Sequence, residues 1–479
     1  MITFQKPKFK LGVAPTRRDM WFNQHTTDNK NAIMNLMNKF SEKYDFELVT
    51  IEGLEFEDKT FTFGSRTIHV DADDFMTDYA DAKLIATYFK EQEINALFVP
   101  FCNFGQEDAV ARLAYELKLP TLLWGARDVA PEGLGMRPTD TQCGMFACSK
   151  VLLRYGVKFT YIENCHISDD VFEKDFEKFL SVARVVNSFN NLRIGQISVR
   201  PQQFLSVMVN EAELLEKFGI ELVTISGTEL VNVINGIIEN EQDQIDELVA
   251  DIEKTLDLSQ LKDKKKTVAA IELGFMKIAK KYGCNALASD CWHVIRNAFG
   301  VAPCFIFGDL HDRGLPTACE LDIHAAIVSV MATAATAYKE PAFVADLTLR
   351  HPQKDNVELL WHCGPFAKAL KKEGVNGYVV EGGQGFYPLK HGDLTVLRFD
   401  GLNGDYSCFV GVGKSIEGPE TNGNYVWLEV DDWVKWEKKF IYGPYIHHVV
   451  GLFGDYSEVF KEACRYIGIN YDTPELPLF

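Results

Sequence analysis

Along the first 340 residues the hydrophobic positions switch between two periods. Short apolar runs at residues 9–14, 46–51, 96–100 and 121–124 read as buried strands. Between them lie amphipathic stretches that predict helices over 31–44, 78–90 and 106–117, the first with Ile33, Met34, Met37 and Phe40 on one face. Residues 151–162 close this first unit, and the rhythm then repeats. Helices are predicted at 171–189, 210–218 and 268–282, with a long polar helical region at 229–256 ending in a lysine-rich turn. Strands are predicted at 193–199, 221–226, 286–289 and 303–307. Strands alternating with helices imply parallel sheets covered on both faces. Beyond about Pro341 short β-like runs follow one another at 342–347, 357–361, 377–380, 394–399, 407–412 and 425–430, punctuated by Gly and Asp. They suggest a small antiparallel barrel or sandwich, before a last helix at 456–467. The expected domains are 1–165, 166–340 and 341–479.

Composition narrows the class. The 479 residues carry a formal net charge of −19, which disfavours nucleic acid and acidic membranes as partners. No apolar run is long enough to span a bilayer, and the first residues lack an apolar signal region. The eleven Cys have no C-x-x-C spacing, so reduced thiols and a cytoplasmic location are expected.

Candidate chemistry centres on Gly314-Leu-Pro-Thr-Ala-Cys-Glu320-Leu-Asp322-Ile-His324. A carboxylate at the end of an apolar approach, just before a helix of small residues, is costly unless partnered. Glu320 is expected at a helix start and Asp346 at the end of the following strand, with His447-His448 supplying an imidazole. Carboxylates with one imidazole suit a hard divalent cation and tilt the choice towards Mn²⁺. Only one of two adjacent strand residues can face a given centre. The competing reading of each residue is ordinary: a dipole-favoured carboxylate at Glu320, a strand-end carboxylate at Asp346, a loop histidine at 447 or 448, and a core imidazole at His362. Asp322 and His324 are expected to support Glu320. Trp124 and Trp292 read as sugar-stacking rings or as core, and Gly382-Gly-Gln-Gly385 as a turn.

Seven segments together resemble the L-fucose isomerase / L-arabinose isomerase superfamily, especially its fucose isomerase-like branch. They are Ala14-Pro-Thr-Arg17-Arg18-Asp19, Arg137-Pro-Thr-Asp140-Thr-Gln142-Cys-Gly144-Met145, Ser289-Asp-Cys291-Trp292, Cys319 to His324, Phe343-Val-Ala-Asp346, Leu360-Trp-His362-Cys363-Gly364 and His447-His448. The resemblance implies two Rossmann-like α/β domains followed by a β-barrel-like domain, and a homo-trimer or homo-hexamer. It implies an aldose–ketose isomerase working through a cis-enediol. Its metal ligands fall on Glu320, Asp346 and His448, holding Mn²⁺, or Mg²⁺ or Co²⁺, with Glu320 and Asp346 also catalytic. Arg17, Arg18, Gln142, Met145, Trp292, His362 and His447 fall among the substrate contacts, His362 also matching a further ligand of the arabinose branch. The chain departs from the fucose enzymes in its N-terminal loop and in carrying His447 where they have Asn. The sugar therefore stays open, and the adjacent Arg17 and Arg18 suit an anionic one bearing phosphate, carboxylate or sulfonate. A metal-dependent sugar hydrolase or lyase, and a non-catalytic sugar-binding module, are the alternatives.

Overall fold

In the computed structural model, which describes residues 4, 6–21, 23–63, 65–131, 133 and 137–477, the first apolar runs do become strands. Within the unit formed by residues 7–184 they build a five-stranded sheet. Its order is Glu47–Thr50, Lys10–Val13, Ala96–Phe101, Thr121–Gly125 and Thr160–Tyr161, all parallel. Alternation along each strand sorts the side chains between two cores. Phe98, Leu122 and Trp124 pack with helix Gln24–Tyr44 and the helix that starts at Asp170. Leu97, Val99 and Leu123 pack with helices Tyr79–Glu91, Glu107–Leu117 and Thr141–Arg154. Each fully buried Leu, Val or Phe in such a layer is worth about 1.5–3 kcal/mol. Asp78 starts its helix with a reciprocal capping box to Asp81, which is why the amphipathic pattern begins sharply there.

Residues 4, 6 and 185–477 belong to the second unit. A four-stranded parallel sheet has the order Thr317–Ala318, Ala286–Ser289, Arg193–Ile197, Glu221–Ile225. The run at 303–307, expected as a strand, is instead the start of helix Cys304–Asp312. Burial explains the miss: Cys304, Phe305, Ile306 and Phe307 are all buried, so the helix shows no polar face to reveal its period. Helix Ile323–Ala335 is likewise buried at every position.

The C-terminal β-like runs enter a ten-stranded sheet. It is mixed and not purely antiparallel, because three of its pairings are parallel. Two of those bring in the very short strands Leu256–Asp257 and Asn470–Asp472, too brief to register in a pattern of alternation. Six strands pair in a cycle: Asn424–Glu429, Val357–His362, Phe343–Arg350, His448–Phe453, Asp393–Leu402 and Asp405–Ile416, the last returning to the first. The hairpin between Leu402 and Asp405 turns on Asn403 and Gly404, both at positive φ, as a two-residue turn matching strand twist requires. Among the described residues, no helix is long and apolar enough to cross a membrane.

Candidate active site

Strand register brings the first two acidic and imidazole groups together. Asp346 pairs directly with His448 on one side and with Trp361 on the other. Directly opposed residues of antiparallel strands project to the same face, so the carboxylate and the ring meet. Asp346 thus lies inside strand Phe343–Arg350 and not at its end, since the polar tail after Asp346 continues as exposed strand. Glu320 arrives from the other side, between strand Thr317–Ala318 and helix Ile323–Ala335. It is not at the helix start. Asp322 is the N-cap, accepting the Ala325 N–H at 2.9 Å, while Glu320 and Leu321 make the turn at φ 57° and 61°.

The three expected ligands converge. His448 Nε2 lies 3.1 Å from Glu320 Oε2 and 3.7 Å from Asp346 Oδ1. His362 Nε2 lies 3.8 Å from Asp346 Oδ1. Trp292 Nε1–H donates to Glu320 Oε1 at 3.1 Å, so one oxygen is held and the other turns to His448. His447 corrects the expectation that only one of the adjacent histidines can face the centre. It precedes strand His448–Phe453, escapes strand alternation, and offers a nitrogen within 4.8 Å of ligand atoms of Asp346 and His448.

Behind His448 runs a buried charged chain. Asp322 Oδ2 accepts from His448 Nδ1–H at 2.8 Å and from Arg398 at 2.5 Å. Arg398 also donates to Asp400 at 2.9 Å, and Asp400 contacts His324 Nδ1 at 3.0 Å. Asp322 therefore supports His448 directly, where it was expected to support Glu320. Arg398 and Asp400 escaped the sequence reading. Their signal was two opposite charges two residues apart on one face of the apolar run Leu394–Leu402. Phe204 was also missed; its ring stands 5.4 Å from Trp292 and 6.3 Å from His448.

Charge follows this geometry. Burial opposes ionisation of Glu320, but its contacts with His448 and the nearby His362 hold its carboxyl below the usual range. Burial would depress His448, yet Asp322 and Glu320 raise it to about 9. Burial would likewise depress His362, and Asp346 pulls it up to about 10. The Cys363 N–H donates to His362 Nδ1 at 2.9 Å, however, and an imidazolium has no lone pair to accept it. We take the hydrogen bond as deciding for a neutral ring. Asp346 Oδ1, His362 Nε2 and His448 Nε2 are buried without a hydrogen-bond partner; Glu320 at 3.1 Å faces His448 without hydrogen-bond alignment. Orphaned polar atoms are costly, and an acceptor set of carboxylates and imidazole fits a divalent cation.

The remaining expected contacts lie in the unit of residues 7–184. Arg17 is buried, donating to Asp19 at 2.8 Å and to the Asp71 carbonyl, with Phe75 under its guanidinium. Arg18 is half-buried over the Phe104 ring at 4.2 Å. Gln142 is exposed in the first turn of helix Thr141–Arg154, and Met145 is packed into that unit's core.

Comparison with known proteins bears on what this centre does. Residues 12–190 match the family described as fucose/sulfoquinovose isomerase, N-terminal domain. A sulfoquinovose isomerase of Priestia aryabhattai is 24% identical over 394 residues, covering 80% of this chain and 86% of the relative. One from Clostridium sp. (strain MSTE9) is 25% identical over 284 residues, covering 58% of this chain and 61% of the relative. A solute-binding protein structure from Burkholderia multivorans covers 69% of this chain and 93% of its own at 10% identity, but at a TM-score of 0.17 it bears on nothing here. Over residues 12–190 and in its relatives, the chain is similar to isomerases of the fucose isomerase-like family.

Proposed function

We propose that the protein is a divalent-metal-dependent aldose–ketose isomerase acting on a sulfonated sugar, sulfoquinovose by analogy with its named relatives. The observation that carries the metal reading is the meeting of Glu320, Asp346 and His448 around orphaned buried atoms. Those three residues would hold the cation, Mn²⁺ suiting the mixed oxygen and nitrogen donors best. When bound, the cation supplies polarisation of a carbonyl and its neighbouring hydroxyl.

The chain's own residues supply the rest. Glu320, kept ionised and fixed by the Trp292 N–H, and Asp346, on the strand paired with that of His448, are the two carboxylates able to take a proton from one sugar carbon and return it to the next. Loss of that carbon proton leaves a cis-enediolate, which becomes the cis-enediol when its oxygen takes up a proton. Phe204 and Trp292 present an aromatic wall beside His448 that would exclude water and pack on the sugar. A sulfonate asks for a cationic partner. Arg17 is committed to Asp19 and the Asp71 carbonyl within its own unit.

The hydrolase, lyase and binding-module alternatives give way to an isomerase. Wild-type protein with Mn²⁺ should exchange substrate C2 hydrogen in D₂O and interconvert sulfoquinovose with its ketose. Glu320→Gln should cut turnover by at least about 10³-fold, a general-base magnitude, with circular dichroism unchanged. Near-normal isomerisation by that variant would refute the assignment.

A further inference from the structure

We infer that the two buried imidazoles of the centre are locked in opposite tautomers, His448 offering a lone pair to the cation and His362 offering an N–H to a substrate oxygen. The inference rests on the metal reading above and deepens it. Both rings are buried, 1% and 2% exposed, so water is not there to blur their hydrogen bonding. In each ring one nitrogen is committed to a neighbour, and the other, Nε2, points at the site without a hydrogen-bond partner.

For His448 the committed partner is a carboxylate. Asp322 also receives the Ala325 N–H at its other oxygen and the Arg398 guanidinium at the shared one. Receiving a backbone N–H and a guanidinium, Asp322 sits among donors as a carboxylate does. An ionised carboxylate only accepts, so His448 Nδ1 must carry the hydrogen. Nε2 is then the nitrogen whose lone pair a cation can take in place of a proton, and the carboxylate behind it raises its basicity.

For His362 the committed partner is a donor. The Cys363 backbone N–H reaches His362 Nδ1 at 2.9 Å, and the Cys363 thiol lies 3.2 Å from the same atom. A backbone amide cannot accept, so Nδ1 is the lone pair and Nε2 carries the hydrogen. That N–H faces Asp346 Oδ1 from 3.8 Å, beyond direct bonding, and an N–H cannot ligate a cation. It can donate to a sugar oxygen on which charge develops, and so lower the barrier without holding metal. Ring chemistry alone does not separate the two histidines. Their neighbours do.

The test measures Mn²⁺ binding to metal-stripped, substrate-free protein by the electron paramagnetic resonance signal of free Mn²⁺, beside steady-state kinetics at saturating metal. His448→Gln should weaken Mn²⁺ binding at least about 100-fold, and Asp322→Asn about 10–100-fold. His362→Gln, whose amide can replace the donated N–H only imperfectly, should keep Mn²⁺ affinity within about threefold while kcat falls about 100-fold. Folding is checked for each by circular dichroism and Tm. Mn²⁺ binding lost in folded His362→Gln as in His448→Gln would overturn the inference. Should His362→Gln fail to fold, Asp322→Asn carries the test, and wild-type Mn²⁺ affinity in folded Asp322→Asn overturns it equally. A wild-type protein that binds no divalent cation would instead bring down the metal reading on which the inference stands.

Discussion

Glu320 and Leu321 hold φ values of 57° and 61°, a region where a Cβ crowds its own carbonyl at about 1–2 kcal/mol per residue. Neither is Gly or Asn, which enter this region cheaply. The turn is tolerated because Leu321 N–H donates to the Ser289 carbonyl at 3.2 Å and Asp322 N–H to the Cys319 carbonyl at 3.0 Å. Strain kept at a carboxylate that meets an imidazole is the pattern of a functional residue. A second acidic residue of this unit behaves differently. Glu358 is 4% exposed, and burial, with Glu437 adding to it, lifts its carboxyl from an ordinary 4.5 to about 8. The folded value exceeds the unfolded one, so folding takes up a proton. The stability this gives is complete below pH 4.5 and is lost as pH rises through about 8. Glu358→Gln, which needs no proton, should raise the Tm near pH 9 by the equivalent of about 1–3 kcal/mol and change little at pH 4. Parallel Tm–pH profiles for the two proteins would contradict this.

At the scale of elements, the centre depends on how closely two backbones approach. Helix Cys304–Asp312 and the loop after His362 touch glycine to backbone in both directions. A Cβ on Gly364 would stand 2.4 Å from the Cys304 carbonyl carbon and 2.5 Å from the Phe305 nitrogen, and one on Gly308 2.2 Å from the Phe366 oxygen. Backbone cannot swing aside as a side chain can. Gly364→Ala should therefore push the His362–Gly364 segment off the helix, costing about 2 kcal/mol or more and lowering kcat with it. A urea midpoint equal to wild type would show the contact to be softer than this. The same elements show what a sequence can disclose. Helices such as Glu107–Leu117 were legible because their apolar period is local, and the separate strands of the sheets were legible because each is a short apolar run. The register of Asp346 against His448, over a hundred residues apart, was not, because pairing depends on which edges meet and not on local pattern. Glu320, Asp346 and His447-His448 were legible as candidate ligands and the resemblance singled out His448, while Asp322 as the partner of His448, and Arg398 behind it, needed coordinates. The helix at 304–312 was missed because complete burial erases the polar face that betrays a period.

At the scale of the molecule, Glu320, Asp346, His362 and His448 all belong to the unit of residues 185–477. The unit of residues 7–184 has its own parallel sheet and two cores of its own. A ligand that binds only the native form stabilises what it binds by RT ln(1 + [L]/Kd), about 2.7 kcal/mol at a hundredfold excess over Kd. If the cation sits where Glu320, Asp346 and His448 meet, that stabilisation acts on the second unit first. Scanning calorimetry of the whole chain in Mn²⁺, and again after chelation and dialysis, should then show a transition that falls by about 5–10 °C on metal removal, since each kcal/mol moves a domain of this size by about 2–4 °C. Limited proteolysis at the temperature of the lowered transition should cut within 185–477 and spare 7–184. His448→Gln should remove the metal-dependent shift without altering the metal-free scan by more than the loss of one buried contact. A Tm that ignores chelation, in protein that is shown to have carried metal, would mean the cation is held somewhere other than at these residues.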